Sequence, residues 1–132
     1  MQWMEQARLL LRKAHDDAVA LAKLAPDRDI VEAIVGFHAQ QAIEKGLKSV
    51  LAAHGVAYRR THDLVELRNL LIDLGMAIPS DVVESIVYSP YAVELRYEDI
   101  PEAGLDRIEA VRLVHSVLGW CDMQVELAAL SC

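Results

Sequence analysis

Apolar residues recur every three or four positions from Gln2 to about Ala25, which is the spacing of one face of an α-helix. This face comprises Met4, Ala7, Leu11, Ala14, Ala18 and Leu21. Pro26 follows, and because proline has no backbone N–H it ends the segment. The pattern therefore predicts a first long helix that buries this face.

A second long helix is predicted from the segment after Pro26 to about His54. Asp29, with Glu32 three residues later, resembles a capping box at its start, and Gly55 can take the left-handed conformation that ends a helix. At 100° per residue its apolar positions fall on two sides. One side carries Val31, Val35, Ala39, Ala42 and Val50, and the roughly opposite side carries Ile30, Phe37 and Leu51. A helix that is apolar on two sides is expected to lie centrally in a bundle.

The middle of the chain predicts two shorter helices. Thr61 is placed to cap a third helix, which Gly75 ends. Its apolar positions are Leu64, Leu67, Leu70, Leu71 and Leu74. Residues 79–81 open a fourth, and it is short because Pro90 disfavours helical geometry at the preceding residue.

Asp99, Pro101 and Glu102 indicate the start of a last helix that extends to about Leu130. The residues expected to face inward are Leu105, Ile108, Val111, Val114, Leu118, Cys121 and Val125. No segment shows the sustained alternation of a strand, and no internal repeat is present. We therefore expect an all-α protein, an antiparallel up-and-down four-helix bundle with an additional short helix, formed by residues 1–132 as a single domain.

Composition and charge narrow the possible functions. Apolar residues make up 54% of the 132 residues, which excludes a disordered chain. Thirteen Lys and Arg against twenty Asp and Glu give a formal net charge of -7, which disfavours coating of nucleic acid by bulk attraction. Any nucleotide or nucleic-acid site must then be a local basic patch.

Location and cofactors are read from what the sequence lacks. No run of eighteen apolar residues exists, and charged residues interrupt the apolar start, so we expect a cytoplasmic protein without a membrane partner. Cys121 and Cys132 have no zinc-ligand spacing, so we expect reduced thiols, no metal and no cofactor.

A row of polar residues runs along the second helix, on the side that carries Phe37. Gln41, Glu44 and Lys48 follow one another at i, i+3 and i+7 on a helix that is otherwise largely apolar. Charges in such a position must pair internally, reach a groove or meet another chain, because an unpaired buried charge costs several kcal/mol. The alternative is an ordinary solvated face in which Glu44 and Lys48 form an i, i+4 pair that contributes about 0.2–0.5 kcal/mol.

Three segments together resemble a known family. They are FHAQQAIEKGLK at residues 37–48, THDL at residues 61–64, and Tyr91 followed by LRY at residues 95–97. In this order they are similar to the HEPN family, the "higher eukaryotes and prokaryotes nucleotide-binding" domain, in its small stand-alone prokaryotic type. The resemblance implies an all-α bundle that forms a homodimer. It also implies a gene beside a minimal nucleotidyltransferase, with which the protein acts as a toxin and antitoxin pair.

Many HEPN proteins share a metal-independent ribonuclease motif, in which four to six residues separate an arginine from a histidine in a later helix. In the last helix here, Arg107 precedes His115 by eight positions and Arg112 precedes it by three, so neither matches. Arg8 and His15 have six residues between them, but they lie in the first helix. We expect His115 to be a hydrogen-bonded core histidine, and binding rather than catalysis to be the function.

The candidate binding residues form two groups. The first is the basic cluster of Lys45, Lys48, Arg59, Arg60 and His62, and the second is the pair Arg96 and Tyr97. A guanidinium can grip a phosphate while an aromatic ring stacks on a base. The alternatives are that the cluster merely balances neighbouring acids, that His62 packs at a helix start, and that Tyr97 pins an irregular connection.

These residues favour a protein that binds a nucleotide or an RNA phosphate and partners a nucleotidyltransferase. Two alternatives remain. One is an endoribonuclease toxin with a site built across a dimer. The other is a purely structural dimeric bundle, which would be favoured if internal pairing used up the row of Gln41, Glu44 and Lys48.

Overall fold

The computed structural model describes residues 2–92 and 104–131. These residues form α-helices and one 3-10 helix, and none of them lies in a strand, so the all-helical prediction is confirmed. The elements are α1 (Gln2–Leu24), α2 (Glu32–Ala53), α3 (Leu64–Asp73), α4 (Ser80–Glu84), the 3-10 helix Ser85–Tyr91 and α5 (Arg107–Leu130).

The core lies where α1, α2 and α5 pack against one another. On α1 the predicted face is confirmed, because Ala7, Ala14 and Leu21 are buried and the other members pack against the core. On α2 both predicted apolar sides contribute buried residues, among them Val35 and Leu51. Val31 departs from the prediction, because it precedes the helix and is 53% exposed.

Arg107 fixes the start of α5 against the turn that connects α1 to α2. Its side chain is buried, and the guanidinium donates hydrogen bonds of 2.6–3.1 Å to three backbone carbonyls. These carbonyls belong to Ala25, Asp27 and Ile30. Towards the other end, Arg8 Nη1 lies 3.1 Å from Glu126 Oε1. The two sets of contacts show that α5 runs in the direction opposite to α1.

Two predicted helix starts differ from those observed. The capping box of Asp29 and Glu32 is wrong, because Val31 precedes α2 without a side-chain cap and the Glu32 carboxylate instead accepts from the backbone N–H of Leu105 at 3.2 Å. The cap of α3 is Asp63 rather than Thr61, since the Asp63 carboxylate accepts from the backbone N–H of Val65.

The last helix also differs from the prediction. Its predicted starting residues, Asp99, Pro101 and Glu102, lie outside the described residues, and α5 begins at Arg107 with Asp106 as its cap. Ile108 was expected to face inward but is 85% exposed. His115 was expected in the core but is exposed too. Ile108 and His115 are seven positions apart, so they lie on the same side of α5. The buried side of this helix is a different one and includes Ala110, Val114, Val117 and Cys121.

Glycine ends two helices as predicted. Gly55 and Gly75 have φ of 68° and 82°, in the left-handed region where glycine meets no Cβ penalty. No described helix is long and apolar enough to cross a membrane.

Candidate phosphate-binding site

Glu44 is the centre of the polar row on α2. This carboxylate is only 4% exposed. Its Oε1 accepts from Gln40 Nε2 at 3.0 Å and lies 2.8 Å from His62 Nδ1, while its Oε2 accepts from Lys48 Nζ at 3.0 Å. One buried carboxylate therefore joins Lys48 of α2 to His62 of the loop before α3.

Glu44 is ionised at neutral pH in spite of its burial. Burial is the largest single influence and raises its pKa, but the hydrogen bonds from Gln40, His62 and Lys48 together outweigh it. The pKa of Glu44 consequently lies below its usual value. The row is thus a set of paired charges held inside the fold, and not an ordinary solvated face.

Lys48 lies beside an aromatic ring as well as a carboxylate. Its Nζ is 5.6 Å from the centroid of the Tyr58 ring, within the range of a cation–π interaction. Burial raises the pKa of Tyr58, so the phenol is neutral. Tyr58 as a whole is half-buried.

Lys45 pairs with α1 instead of with Glu44. Its Nζ donates to Asp17 Oδ2 at 2.6 Å, and His38 Nδ1 lies 3.4 Å from the other oxygen of the same carboxylate. Lys45 and His38 are seven positions apart on α2, so they share one side of the helix. Asp17 thereby ties that side to α1 and sets the position of the Lys45 ammonium group.

The two arginines of the loop before α3 differ in their contacts. Arg59 Nε donates to Glu66 Oε1 of α3 at 2.5 Å, and this hydrogen bond is the main reason why the pKa of Glu66 is lowered. Its terminal nitrogens have no hydrogen bond within the described residues. Arg60 is exposed and has no ion pair within residues 2–92 and 104–131.

The predicted cluster is therefore brought together only in part. Lys48 and His62 share Glu44, Lys45 lies about 100° around α2 from Glu44 and pairs with α1, and Arg59 is directed to α3. Arg96 and Tyr97 lie outside the described residues. The prediction missed Gln40, Tyr58 and Asp17. For Gln40 there was a sequence signal, because it precedes Glu44 by four positions on the same helix.

Both arginines of α5 are engaged by groups of the same chain. Arg107 is bound to backbone carbonyls, as described above. Arg112 holds Glu109 of its own helix at 2.6 Å and Asp81 of α4 at 3.2 Å, and its hydrogen bond lowers the pKa of Asp81. Both side chains fasten α5 to its neighbours. Within the described residues, no group of three or more His, Cys, Asp or Glu side chains is placed to hold a metal ion.

The family model described as HEPN domain matches residues 3–124, which is nearly the whole chain. The chain therefore belongs to the HEPN family, a superfamily of nucleotide-binding and ribonuclease-like helical domains. No curated protein and no solved structure matches the chain.

Proposed function

We propose that this HEPN protein binds the phosphate of a nucleotide or of RNA along the polar side of α2, the side that carries Gln41, Glu44 and Lys48. The binding residues would be Lys45, Lys48, Arg59, Arg60 and His62, with Arg96 and Tyr97 as further members. The observation that supports the proposal is the position of Glu44, whose one carboxylate holds Lys48 and His62 next to each other.

The carboxylates orient these cations without using all their hydrogen-bond donors. An ammonium group has three N–H donors. Lys48 donates one hydrogen bond to Glu44, and Lys45 donates one to Asp17. Each lysine keeps donors for a phosphate oxygen, and its side chain is already ordered, which lowers the entropic cost of binding.

The surroundings of Lys48 suit a nucleotide. The Tyr58 ring next to Lys48 would be the surface on which a base stacks. Arg60 adds a positive charge that no carboxylate of the described residues pairs with, whereas Glu66 balances the charge of Arg59. A phosphate at Lys48 and a base at Tyr58 would use neighbouring groups in one small area.

A specific observation favours a second candidate, the purely structural bundle. Every member of the row has a partner inside the chain, since Gln41 Nε2 donates to Gln40 Oε1 at 2.7 Å and Glu44 holds Lys48. Under this alternative the row serves only to fasten α2 to its neighbours. The two candidates differ in whether the remaining donors of Lys45 and Lys48 ever meet a ligand.

The proposal extends to the assembly. The chain would form a homodimer, because exposed apolar residues such as Ile108 and Leu130, at 85% and 80%, would gain from burial. It would act in the cytoplasm with a minimal nucleotidyltransferase as a toxin and antitoxin pair. The whole chain would be one up-and-down four-helix unit, with α3 as the fourth helix beside α1, α2 and α5.

The experiment is an equilibrium titration of AMP and of a short labelled RNA at several salt concentrations. We expect affinity to fall as salt rises, and Lys48→Ala to weaken binding and to reduce the salt slope by about one or less. Lys23→Ala, which removes an exposed cation at the end of α1, is the matched control and should behave as the wild type. Circular dichroism must show that both variants stay helical.

Flat isotherms for every nucleotide, or equal binding by the wild type and a folded Lys48→Ala variant, would favour the structural candidate. Such a result would leave the HEPN fold itself unaffected.

A further inference from the structure

An apolar pocket lies between the end of α1 and the start of α5. It encloses about 340 Å³, which is within the range of small-molecule sites. Five of its lining residues are aliphatic, namely Ala22, Ala25, Pro26, Ile108 and Val111, and the other two are Arg28 and Arg107. None of these lining residues is an aspartate or a glutamate. The wall therefore combines aliphatic surface with two positive charges.

Arg107 has a donor that its own chain does not use. The residue is only 8% exposed, and Nη1 and Nη2 donate to three backbone carbonyls, as described above. Its Nε is also buried and has no hydrogen-bond partner within the described residues. A guanidinium has five N–H donors, so Nε and one N–H of Nη2 remain. Nε and Nη2 share one edge of the planar group, and a carboxylate can bind such an edge through both of its oxygens.

The positive charge at this pocket has no carboxylate partner in the described part of the chain. The acceptors of Arg107 are neutral carbonyls, and Arg28 is exposed and has no ion pair within residues 2–92 and 104–131. The neighbouring acids are used elsewhere. Asp27 accepts from the backbone N–H of Asp29, and Asp106 caps α5. A ligand carboxylate would thus supply the counter-charge that Arg107 lacks.

The lining also favours an aliphatic ligand. Because Nε is out of contact with water, a ligand oxygen reaches it only when part of the pocket wall moves. Ile108 is 85% exposed, so it has little packing to lose when it moves. An aliphatic chain placed between Ile108 and Val111 would bury apolar surface that now meets water. No aromatic ring is among the lining residues, so a nucleobase would find nothing on which to stack.

We propose that this pocket, the Arg107 pocket, binds a medium-chain aliphatic monocarboxylate such as octanoate. The carboxylate would accept from Nε and Nη2 of Arg107, and the exposed Arg28 would add positive charge. The chain would lie against Ala22, Ile108 and Val111. The site uses none of the residues of the polar side of α2, so it does not depend on the function proposed above.

The test is calorimetric titration of the full chain with octanoate, 1-octanol and acetate. We expect octanoate to bind about tenfold or more tightly than either of the others, because octanol lacks the charge and acetate lacks the chain. Ala22→Leu, at an exposed position of α1, should weaken octanoate binding about tenfold or more, because the larger side chain would fill the pocket. Ala77→Leu, at an exposed position of the loop before α4, is the matched control and should bind as the wild type does.

The two arginines are tested in different ways. Arg28→Ala should weaken octanoate binding and leave octanol unchanged, and it removes no ion pair of the described chain. Arg107 is left in place, because its removal would also break the hydrogen bonds to the turn after α1. Instead, the Nε–H resonance of Arg107 is followed in the ¹⁵N-labelled protein. It should shift on addition of octanoate and stay in place on addition of octanol.

Equal binding of octanoate and octanol would overturn the proposal, and so would an Arg107 Nε–H resonance that octanoate does not move. Equal binding of octanoate by the wild type and a folded Ala22→Leu variant would do the same. Binding that Lys48→Ala abolishes and Ala22→Leu preserves would mean that the carboxylate uses the polar side of α2 instead. If octanoate fails to bind and Ala22→Leu dissociates a dimer in sedimentation, the pocket is part of an interface between chains and the proposal is wrong.

Discussion

The polar side of α2 differs in burial from the groove between α1 and α5, which is lined by His15, Val19, His115, Gly119 and Asp122 among others. On α2, Glu44 is buried and each neighbouring charge is paired, because an unpaired charge inside a protein costs several kcal/mol. In the recess next to this groove, which shares His15 and Asp122 with it, Arg12 and Lys13 are exposed, and water compensates their charge. Pairing on α2 thus stabilises the fold, and under the proposed function it also positions Lys48 and His62 for an anion.

Two glycines show the same contrast in packing. At Gly46, between α2 and α5, a Cβ would lie 2.8 Å from Leu118 Cδ2 and 3.1 Å from Cys121 Sγ. At Gly119, in the groove, no atom lies within 4 Å of such a Cβ. The first glycine permits a close helix contact, and the second contributes nothing to packing.

The largest expected effect comes from Glu44→Ala. The change leaves Lys48, His62 and Gln40 without their shared acceptor, and we expect it to lower the free energy of unfolding by about 3 kcal/mol. Glu126→Ala removes the exposed partner of Arg8 and should cost less than about 1 kcal/mol. Urea denaturation of both variants measures the difference, and equal costs would contradict the contrast between the two regions.

Acid should remove part of the same stabilisation. Because the pKa of Glu44 in the folded protein lies below its value of 4.5 in the unfolded chain, its contribution is present above pH 4.5 and is lost as pH falls through the lowered pKa. The free energy of unfolding of the wild type should therefore fall more steeply below pH 4.5 than that of Glu44→Gln. Parallel pH profiles for the two proteins would show that Glu44 is not stabilised in its charged form.

The two glycines should respond to alanine with opposite signs. Gly46→Ala should destabilise the protein by about 1–2 kcal/mol, since overpacking outweighs the gain in helix propensity. Gly119→Ala should stabilise it by up to about 1 kcal/mol, since only the gain in propensity applies. Thermal unfolding of both variants checks the signs. A destabilised Gly119→Ala variant would mean that this glycine has a packing role that the structure does not show.

The smallest expected effect is on ribonuclease activity. We expect little or no cleavage of RNA in EDTA, because Arg107 and Arg112 are held by carbonyls and carboxylates and the spacing to His115 does not match the motif. His15→Ala and His115→Ala should then leave the RNA decay rate unchanged. Strong cleavage that either substitution abolishes, in a variant that remains folded, would support the endoribonuclease alternative.

The sequence predicted the helical fold well because apolar spacing reports which side of a helix is buried. It failed at the start of α5, where Arg107 is buried and Ile108 is exposed. From residue type alone, the arginine is expected at the surface and the isoleucine in the core. The guanidinium is buried because it donates hydrogen bonds to three backbone carbonyls of a turn that is distant in sequence. That turn is about 80 positions away, so no local pattern could reveal the contact.

The candidate site was likewise predictable where its contacts are local, and not where they join separate elements. The pair of Glu44 and Lys48 follows from their i, i+4 spacing. The bonds from His62 to Glu44 and from Lys45 to Asp17 join separate elements, so they required the packing of α1, α2 and the loop before α3. The groove between α1 and α5 went unpredicted because His115 was assigned to the core.

Amide chemical-shift mapping during a titration with AMP tests the central claim most directly. If the polar side of α2 binds the phosphate, the largest shifts should fall at Lys45, Lys48 and residues 58–62, and they should disappear in Lys48→Ala. Shifts confined to α5, or no shifts at saturating AMP, would contradict the claim that Glu44 holds these cations in place for a nucleotide.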